Sequence, residues 1–267
     1  MLKIIFFGDV FGRIGRQAIK KILPTLKKKY QPNIVIANGE NMAHGLGVTK
    51  KILTEMKRAG VDFFTSGNHI WKKREIYKIF DDPELKNYII RPANWSTGVP
   101  GQGFKLLKVG KLSLLVVNLL GRVFIDQTTE CPFKTIDKIL NKHKDKKINA
   151  VLVDFHAEAT SEKVAIGWYL DGRVSAVLGT HTHVATADAK ILPQGTAYLT
   201  DVGMVGAKDS VIGVKKEQPL AGFLTQLPQV FEPPEKGIAL VNAVYLEIDP
   251  RTKKTVKIKR IDKEVKI

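Results

Sequence analysis

Residues 174–183 read VSAVLGTHTH, an apolar run that closes on a glycine and then places His181 and His183 two positions apart. A short β-branched run ending in glycine is the pattern of a buried strand opening into a loop. If the backbone stays extended past Gly179, the two imidazoles project to the same side. Neutral nitrogen donors that converge on one point suit a transition metal. The same pair also serves as ordinary hydrogen-bonding groups in a loop, and this stretch alone leaves both readings open.

Working outward, the pattern recurs. Lys3 to Phe7 runs into Gly8-Asp9, and Asn33 to Ala37 runs into Asn38-Gly39-Glu40-Asn41. Val61 to Ser66 runs into Gly67-Asn68-His69, and Ala150 to Phe155 runs into His156-Ala157-Glu158. Helical spacing follows these ends: Ile14, Ile19, Ile22 and Leu23 after the first, and Lys50 to Ala59 after the second. Thr49 is the expected cap of that second helix and Gly60 its stop. A third helix is expected to carry Trp71, Ile76, Tyr77 and Phe80, and a further one to start at Thr160 or Ser161 with Glu162 near its positive end. Strand, ligand-type loop, helix is the βα repeat of an α/β protein, in which ligands gather outside the carboxyl ends of the strands. Thr196 to Leu199 is a shorter strand before Asp201, which reads equally well as a turn residue.

The remaining stretches are less periodic. Residues 81–103, rich in Pro, Gly and Asn, form either a lid over the strand ends or a wrap around a sheet edge. Phe104 to Val109 and Lys111 to Asn118 read as a hairpin, Phe133 to Lys144 as a helix, and Ile238 to Ile248 with Lys253 to Ile261 as a terminal hairpin. Residues 205–237 show no clear period. With no linker and no repeat, residues 1–267 are expected to form a single domain.

Composition narrows the function classes. No run approaches the ~18 apolar residues of a membrane span, so no membrane role is expected. The opening MLKIIFFGDVFG lacks a small-residue cleavage site and reads as a first strand, not an export signal. Cys131, the single cysteine, excludes an internal disulfide framework and fits a cytoplasmic location. The net charge of +17 attracts phosphate-bearing partners over long range and favours approach of a small anionic substrate. The lysine clusters TLKKKY, KRAG, WKKR and NKHKDKK read as solvated helix faces, since exposed aromatics do not interleave with them. RNA binding is therefore the less favoured reading. The spacing of Gly12 and Gly15 is wrong for a dinucleotide loop, and neither a Walker lysine nor an HExxH helix is present.

The strand-end residues collect into one set: Asp9, Glu40, Asn41, Asn68, His69, His156, His181 and His183. Four of the chain's six histidines are in it, which scattered surface usage does not explain. His44 and His143 remain, the latter expected to be solvated in a lysine-rich helix. The set is too large for one four-coordinate ion and suits two ions ~3.5–4 Å apart sharing a carboxylate, the arrangement that hydrolyses phosphate esters.

At this point the motifs GD at 8–9, GEN at 39–41, GNH at 67–69, the isolated His156 and GTHTH at 179–183 resemble those of calcineurin-like metallophosphoesterases. More closely, GDVFGRIGR, IANGENMAHG, TSGNHIW, DFHAEATSEK, GTHTHVATAD and TDVGM resemble the bacterial YmdB-type cyclic-nucleotide phosphodiesterases, over nearly the whole chain. The resemblance implies a four-layer αββα sandwich and a pair of divalent or mixed-valence ions, iron or manganese. It implies Glu40 as the bridging carboxylate, with Asp9, Asn41 and His183 on one ion and Asn68, His156 and His181 on the other. His69 would be the unliganded acid. The wider superfamily has a histidine where this chain has Phe11, and Asn41 is expected to take over that role. The implied substrate is a cyclic nucleotide, 2′,3′-cyclic before 3′,5′-cyclic AMP, attacked at phosphorus by a hydroxide held between the ions. A homo-oligomer is expected. Two rivals stand beside this reading: a phosphomonoesterase on the same site, and a basic RNA-binding regulator without catalysis.

Overall fold

The computed structural model describes residues 1–267. The strand β1 (Leu2–Val10) leads into α1 (Gly12–Tyr30), β2 (Ile34–Asn38), α2 (Lys50–Arg58), β3 (Phe63–Thr65) and α3 (Glu75–Asp81). The hairpin β4 (Phe104–Val109) and β5 (Leu112–Leu120) precedes α4 (Pro132–Lys142), β6 (Ala150–His156), α5 (Thr160–Leu170) and β7 (Ala176–Thr180). Three short strands follow, β8 (Lys190–Ile191), β9 (Ala197–Leu199) and β10 (Met204–Ala207). The chain ends with α6 (Glu217–Thr225) and the hairpin β11 (Ile238–Ile248) and β12 (Thr255–Lys266).

The strands form two six-stranded sheets, ordered β12-β11-β10-β1-β2-β3 and β4-β5-β6-β7-β9-β8. In the first, β1, β2 and β3 are parallel, and in the second β5, β6, β7 and β9 are parallel. Side-chain parity explains why both sheets are apolar on both faces. Leu2, Ile4 and Phe6 of β1 meet Leu114, Val116 and Leu152 of β5 and β6 in a layer between the sheets. The alternate residues Ile5 and Phe7 face α1 and α2, while Leu115, Val151, Val153 and Phe155 face α4 and α5. The result is the α/β, αββα sandwich, with the carboxyl ends of both parallel sets opening on one edge.

Several local expectations are corrected. The helix expected through residues 71–80 is two pieces, a tight 3-10 turn at Asn68–Lys72 and then α3, separated by extended backbone at Lys73. This break lets Asn68 and His69 stay at the end of β3 while Ile76, Ile79 and Phe80 turn into the core. Thr49 caps α2 as expected, accepting the Ile52 N–H at 3.3 Å. Neither Thr160 nor Ser161 caps α5, whose flanking residue is Ala159. Glu162 stands in the first turn of α5 as expected, and it also accepts the N–H groups of Arg122 and Val123 at 3.1 and 3.3 Å. His143 is buried, not solvated: Nδ1 donates to the Ile139 carbonyl at 2.8 Å, and the ring packs edge-on to Phe104.

Residues 81–103 wrap the molecule and do not cover the strand ends. The buried Arg91 guanidinium donates to the carbonyls of Pro92, Val99 and Pro100, which pins RPANWSTGVPG as a closed loop. Ile90 N–H donates to Phe64 and Ala93 N–H to Asn118, so the loop laces the β3 edge of one sheet to β5 of the other. No helix is long and apolar enough to cross a membrane.

Candidate metal centre

Backbone register aims the first carboxylate. On β1, parity would send Asp9 with Ile5 and Phe7 toward the helices. The pairing with β2 shifts between Phe7 and Asp9, so that Phe7 opposes Ala37 and Asp9 opposes Asn38. This bulge turns Asp9 into the layer between the sheets. On β6, Asp154 and His156 continue the inward set begun by Ala150 and Leu152. Gly67 permits the closest approach, because a Cβ there would overlap both Glu40 and His156.

The expected extended geometry at His181 and His183 is wrong. Both have left-handed backbone, with φ of 105° and 66°, so their convergence is imposed by the loop and not by strand alternation. The contacts fall into two groups that share Glu40. In one, His156 Nε2 lies 3.2 Å from Glu40 Oε1, 3.1 Å from Asn68 Oδ1 and 3.0 Å from His181 Nδ1. In the other, Asn41 Nδ2 lies 3.1 Å from Glu40 Oε1 and 3.2 Å from His183 Nε2, which is 4.0 Å from Asp9 Oδ1. Phe11 packs edge-on to His183, its ring centroid 5.3 Å away. His69 sits beside both groups, Nδ1 at 3.0 Å from Asn41 Oδ1 and 3.3 Å from Glu40 Oε1.

A family description, "YmdB-like protein", matches residues 5–261. The chain belongs to the YmdB-like family. The Bacillus subtilis 2′,3′-cyclic-nucleotide 2′-phosphodiesterase is 48% identical to this YmdB-like chain over 261 residues, covering 97% of this chain and 96% of that one. A solved Mycoplasma pneumoniae phosphatase superposes with a TM-score of 0.91 at 40% identity, over 98% of this chain and 93% of that chain. A 5′-nucleotidase precursor from Thermus thermophilus shares the fold alone: its TM-score is 0.53 and its identity 12%, over 98% of this chain and 54% of that chain.

The donor set of this YmdB-like site fits metal ions on its own geometry. A metal-binding imidazole commonly donates its outer N–H to an acceptor, which leaves the inner nitrogen's lone pair free. All three histidines are held in this way. His156 Nδ1 faces Thr180 Oγ1 at 2.8 Å, His181 Nε2 faces Glu158 Oε2 at 3.1 Å, and His183 Nδ1 faces the Ile212 carbonyl at 2.7 Å. Asp9 Oδ1 is buried without a hydrogen-bond partner, an arrangement a cation would repair. Burial pushes Asp9 up from the ordinary carboxylate range. Burial acts the same way on Glu40, but His156 and His69 overcome it and hold Glu40 well below that range. Burial works against charge on His156, yet Glu40 and Asp9 prevail and push it up to about 9. His181, desolvated and next to His156, drops to about 3.

Behind these donor residues lies a polar layer that the sequence alone does not reveal. Asp154 accepts from Asn38 and Thr65 of one sheet and from Thr180 of the other, so one carboxylate ties the sheets together under the site. Burial pushes Asp154 up to about 7. Its signal in the sequence is a charge inside an otherwise apolar strand. Asp201 is no mere turn residue. It accepts the Thr182 N–H and hydroxyl at 3.1 and 2.8 Å and pairs with the buried Lys163 at 2.6 Å, while Lys163 also donates to the Thr180 carbonyl. This pair clamps the loop whose left-handed residues carry His181 and His183. Removing one partner of a buried pair costs roughly 3–5 kcal/mol. Lys163→Met is accordingly expected to lower the unfolding free energy by about that much in urea titration. A loss below about 1 kcal/mol would show that the loop is held by something else.

A cavity of about 540 Å³ opens over the site. Glu40, Asn41, His69, His181 and His183 line one end, and residues between Val211 and Pro233 line the other. The covering segment is thus part of 205–237, not 81–103. No Lys or Arg lines the cavity, although the chain has 43 of them. The positive charge acts on an anion at a distance and does not hold it in place.

Proposed function

We propose that this chain is a metal-dependent phosphodiesterase that opens 2′,3′-cyclic nucleotides at the 2′ ester, with 3′,5′-cyclic AMP as a slower substrate. The observation that carries this is the convergence of seven ligand-type side chains from both sheets, Asp9 among them with a buried Oδ1 that has no hydrogen-bond partner. Glu40 is shared. Asp9, His183 and Asn41, the last with its amide turned so that Oδ1 replaces the Nδ2 now facing His183, would hold one ion, and Asn68, His156 and His181 would hold the other, with iron or manganese suited to this mixed set. The bound pair supplies water activation and charge neutralisation on the phosphoryl oxygens. His69 gives its proton to the departing 2′ oxygen.

Diester is favoured over monoester by charge. A phosphomonoester dianion carries one more negative charge than a cyclic diester, and beyond the bound ions the cavity offers no Lys or Arg to meet it. The test compares rates on 2′,3′-cyclic AMP with those on 2′- and 3′-AMP after loading with manganese or iron. Faster release of phosphate from the monoesters would sink the diester assignment. Residues 1–267 as one domain and a cytoplasmic location with the thiol of Cys131 reduced belong to the same proposal. So does a homo-oligomer, supported by the exposed Leu224, Leu227 and Val230, which lie outside the cavity.

Metal loading has a pH signature. His156, pushed up to about 9 from an ordinary value near 6.5, carries a proton in the metal-free protein at neutral pH. Because its folded value is raised, that proton stabilises the metal-free fold fully below 6.5 and ceases to as pH rises through about 9. An ion needs the same nitrogen, so binding expels the proton. Apparent affinity for Mn²⁺ is expected to climb up to ~tenfold per pH unit from 6.5 to 9 and to flatten above, with proton release in weakly buffered titrations. Binding without proton release and independent of pH would remove His156 from the ligand set.

A further inference from the structure

The cavity has two chemically different ends. One holds the metal donors. The other is walled by Ile212, Pro219, Phe223, Phe231 and Pro233, all from the stretch between β10 and β11. Phe223 and Phe231 are 81% and 56% exposed, which leaves large aromatic surfaces bare beside a polar site. Exposed apolar surface of this kind marks a binding surface when it is contiguous. The wall is also built in place. The Ile212 carbonyl accepts from His183 Nδ1 at 2.7 Å, so the apolar segment is tied directly to a metal-facing histidine. Lys215 N–H donates to the Glu232 carbonyl at 2.9 Å and Glu232 N–H to Gln218 Oε1 at 2.8 Å, which fastens the segment carrying Phe231 to the start of α6.

We infer that this wall is the base subsite, with Phe223 and Phe231 receiving the nucleobase of the cyclic nucleotide whose phosphate lies at the histidine end. The inference rests on the phosphodiesterase reading above and adds how the substrate is recognised. A volume of about 540 Å³ is in the range of small-molecule sites. Since no Lys or Arg lines the cavity, affinity beyond the phosphate comes from contact with the rest of the substrate. The part of a nucleotide that suits an apolar aromatic wall is the base, which has two π-faces. Every base has such a face, so discrimination follows ring size, with purines bound more tightly than pyrimidines.

The experiment compares kcat/KM for 2′,3′-cyclic AMP with that for glycerol 1,2-cyclic phosphate, which has the same reacting ring and no base. Wild type, Phe223→Ala, Phe231→Ala and Phe223→Leu are measured after manganese loading, with binding of 3′-AMP by calorimetry and sedimentation of each protein. The ratio of the two kcat/KM values is expected to fall on the order of tenfold in each alanine variant, through KM, with 3′-AMP binding weakened in parallel. Phe223→Leu, which keeps most of the apolar volume but loses the π-face, is expected between wild type and Phe223→Ala. An unchanged ratio in folded variants overturns the base subsite, and a changed sedimentation coefficient alongside it assigns the wall to contact between copies of this chain. Wild-type protein inert on both cyclic phosphates overturns the phosphodiesterase reading, and the subsite falls with it.

Discussion

Glu40→Gln is expected to bring bound metal well below two ions per chain and to reduce turnover by ~10³-fold or more, the equivalent of several kcal/mol of Lewis-acid stabilisation. Glu40 joins the two groups of donors through one oxygen: Oε1 lies 3.2 Å from His156 Nε2 and 3.1 Å from Asn41 Nδ2. It is buried, and His156 and His69 hold it in the charged form in spite of that burial. A carboxylate offers two anionic oxygens that could each meet a cation, whereas the glutamine amide offers one neutral oxygen and an NH₂ that repels one. The shapes match, so the fold is expected to survive, which a melting curve checks. Elemental analysis of protein purified without added metal, alongside the rate on 2′,3′-cyclic AMP, makes the measurement. Two ions retained at near-normal rate would mean that Glu40 does not bridge.

His69→Ala separates chemistry from metal binding. Its Nδ1 is engaged by Asn41 and Glu40, and the side chain lines the cavity, so Nε2 is the nitrogen left for substrate. Its backbone N–H donates to Glu40 Oε2 at 3.1 Å and is kept in the variant. Full metal content is therefore expected, with a rate loss of roughly 10²–10⁴-fold on natural cyclic esters, the usual range of general acid catalysis. On bis-p-nitrophenyl phosphate the loss should shrink, because p-nitrophenolate departs without a proton. Equal losses on both substrates would assign His69 to positioning, and full activity on both would remove it from the reaction.

Much of this architecture is legible in the chain itself. The apolar runs, each ending in a ligand-type residue and most of them also in glycine, locate the parallel strands and the edge where Asp9, Glu40, Asn41, Asn68, His156, His181 and His183 meet. The expectations that fail share a cause. Lysine neighbours point His143 toward solvent, but its ring packs on Phe104, a residue 39 positions away in sequence. Pro and Gly content makes 81–103 a candidate lid, yet the segment over the site comes from 205–237. Composition marks a loop as irregular and does not say where it lies.

What depends on neighbours along the chain is already in the sequence: the apolar runs that bury both faces of the central parallel strands, the cap and stop of α2, and the chemical types at strand ends. Tertiary structure decided what depends on contacts across it. The bulge that turns Asp9 inward exists only against β2. Asp154 joins the two sheets through partners 89 and 116 residues away. The left-handed turns at His181 and His183 persist because Lys163 and Asp201 clamp their loop, and the apolar wall stands over the site because Ile212 is tied to His183. Such contacts form only once the core has closed, since a buried ion pair or a strained backbone is stable only where packing already excludes water and fixes its partners.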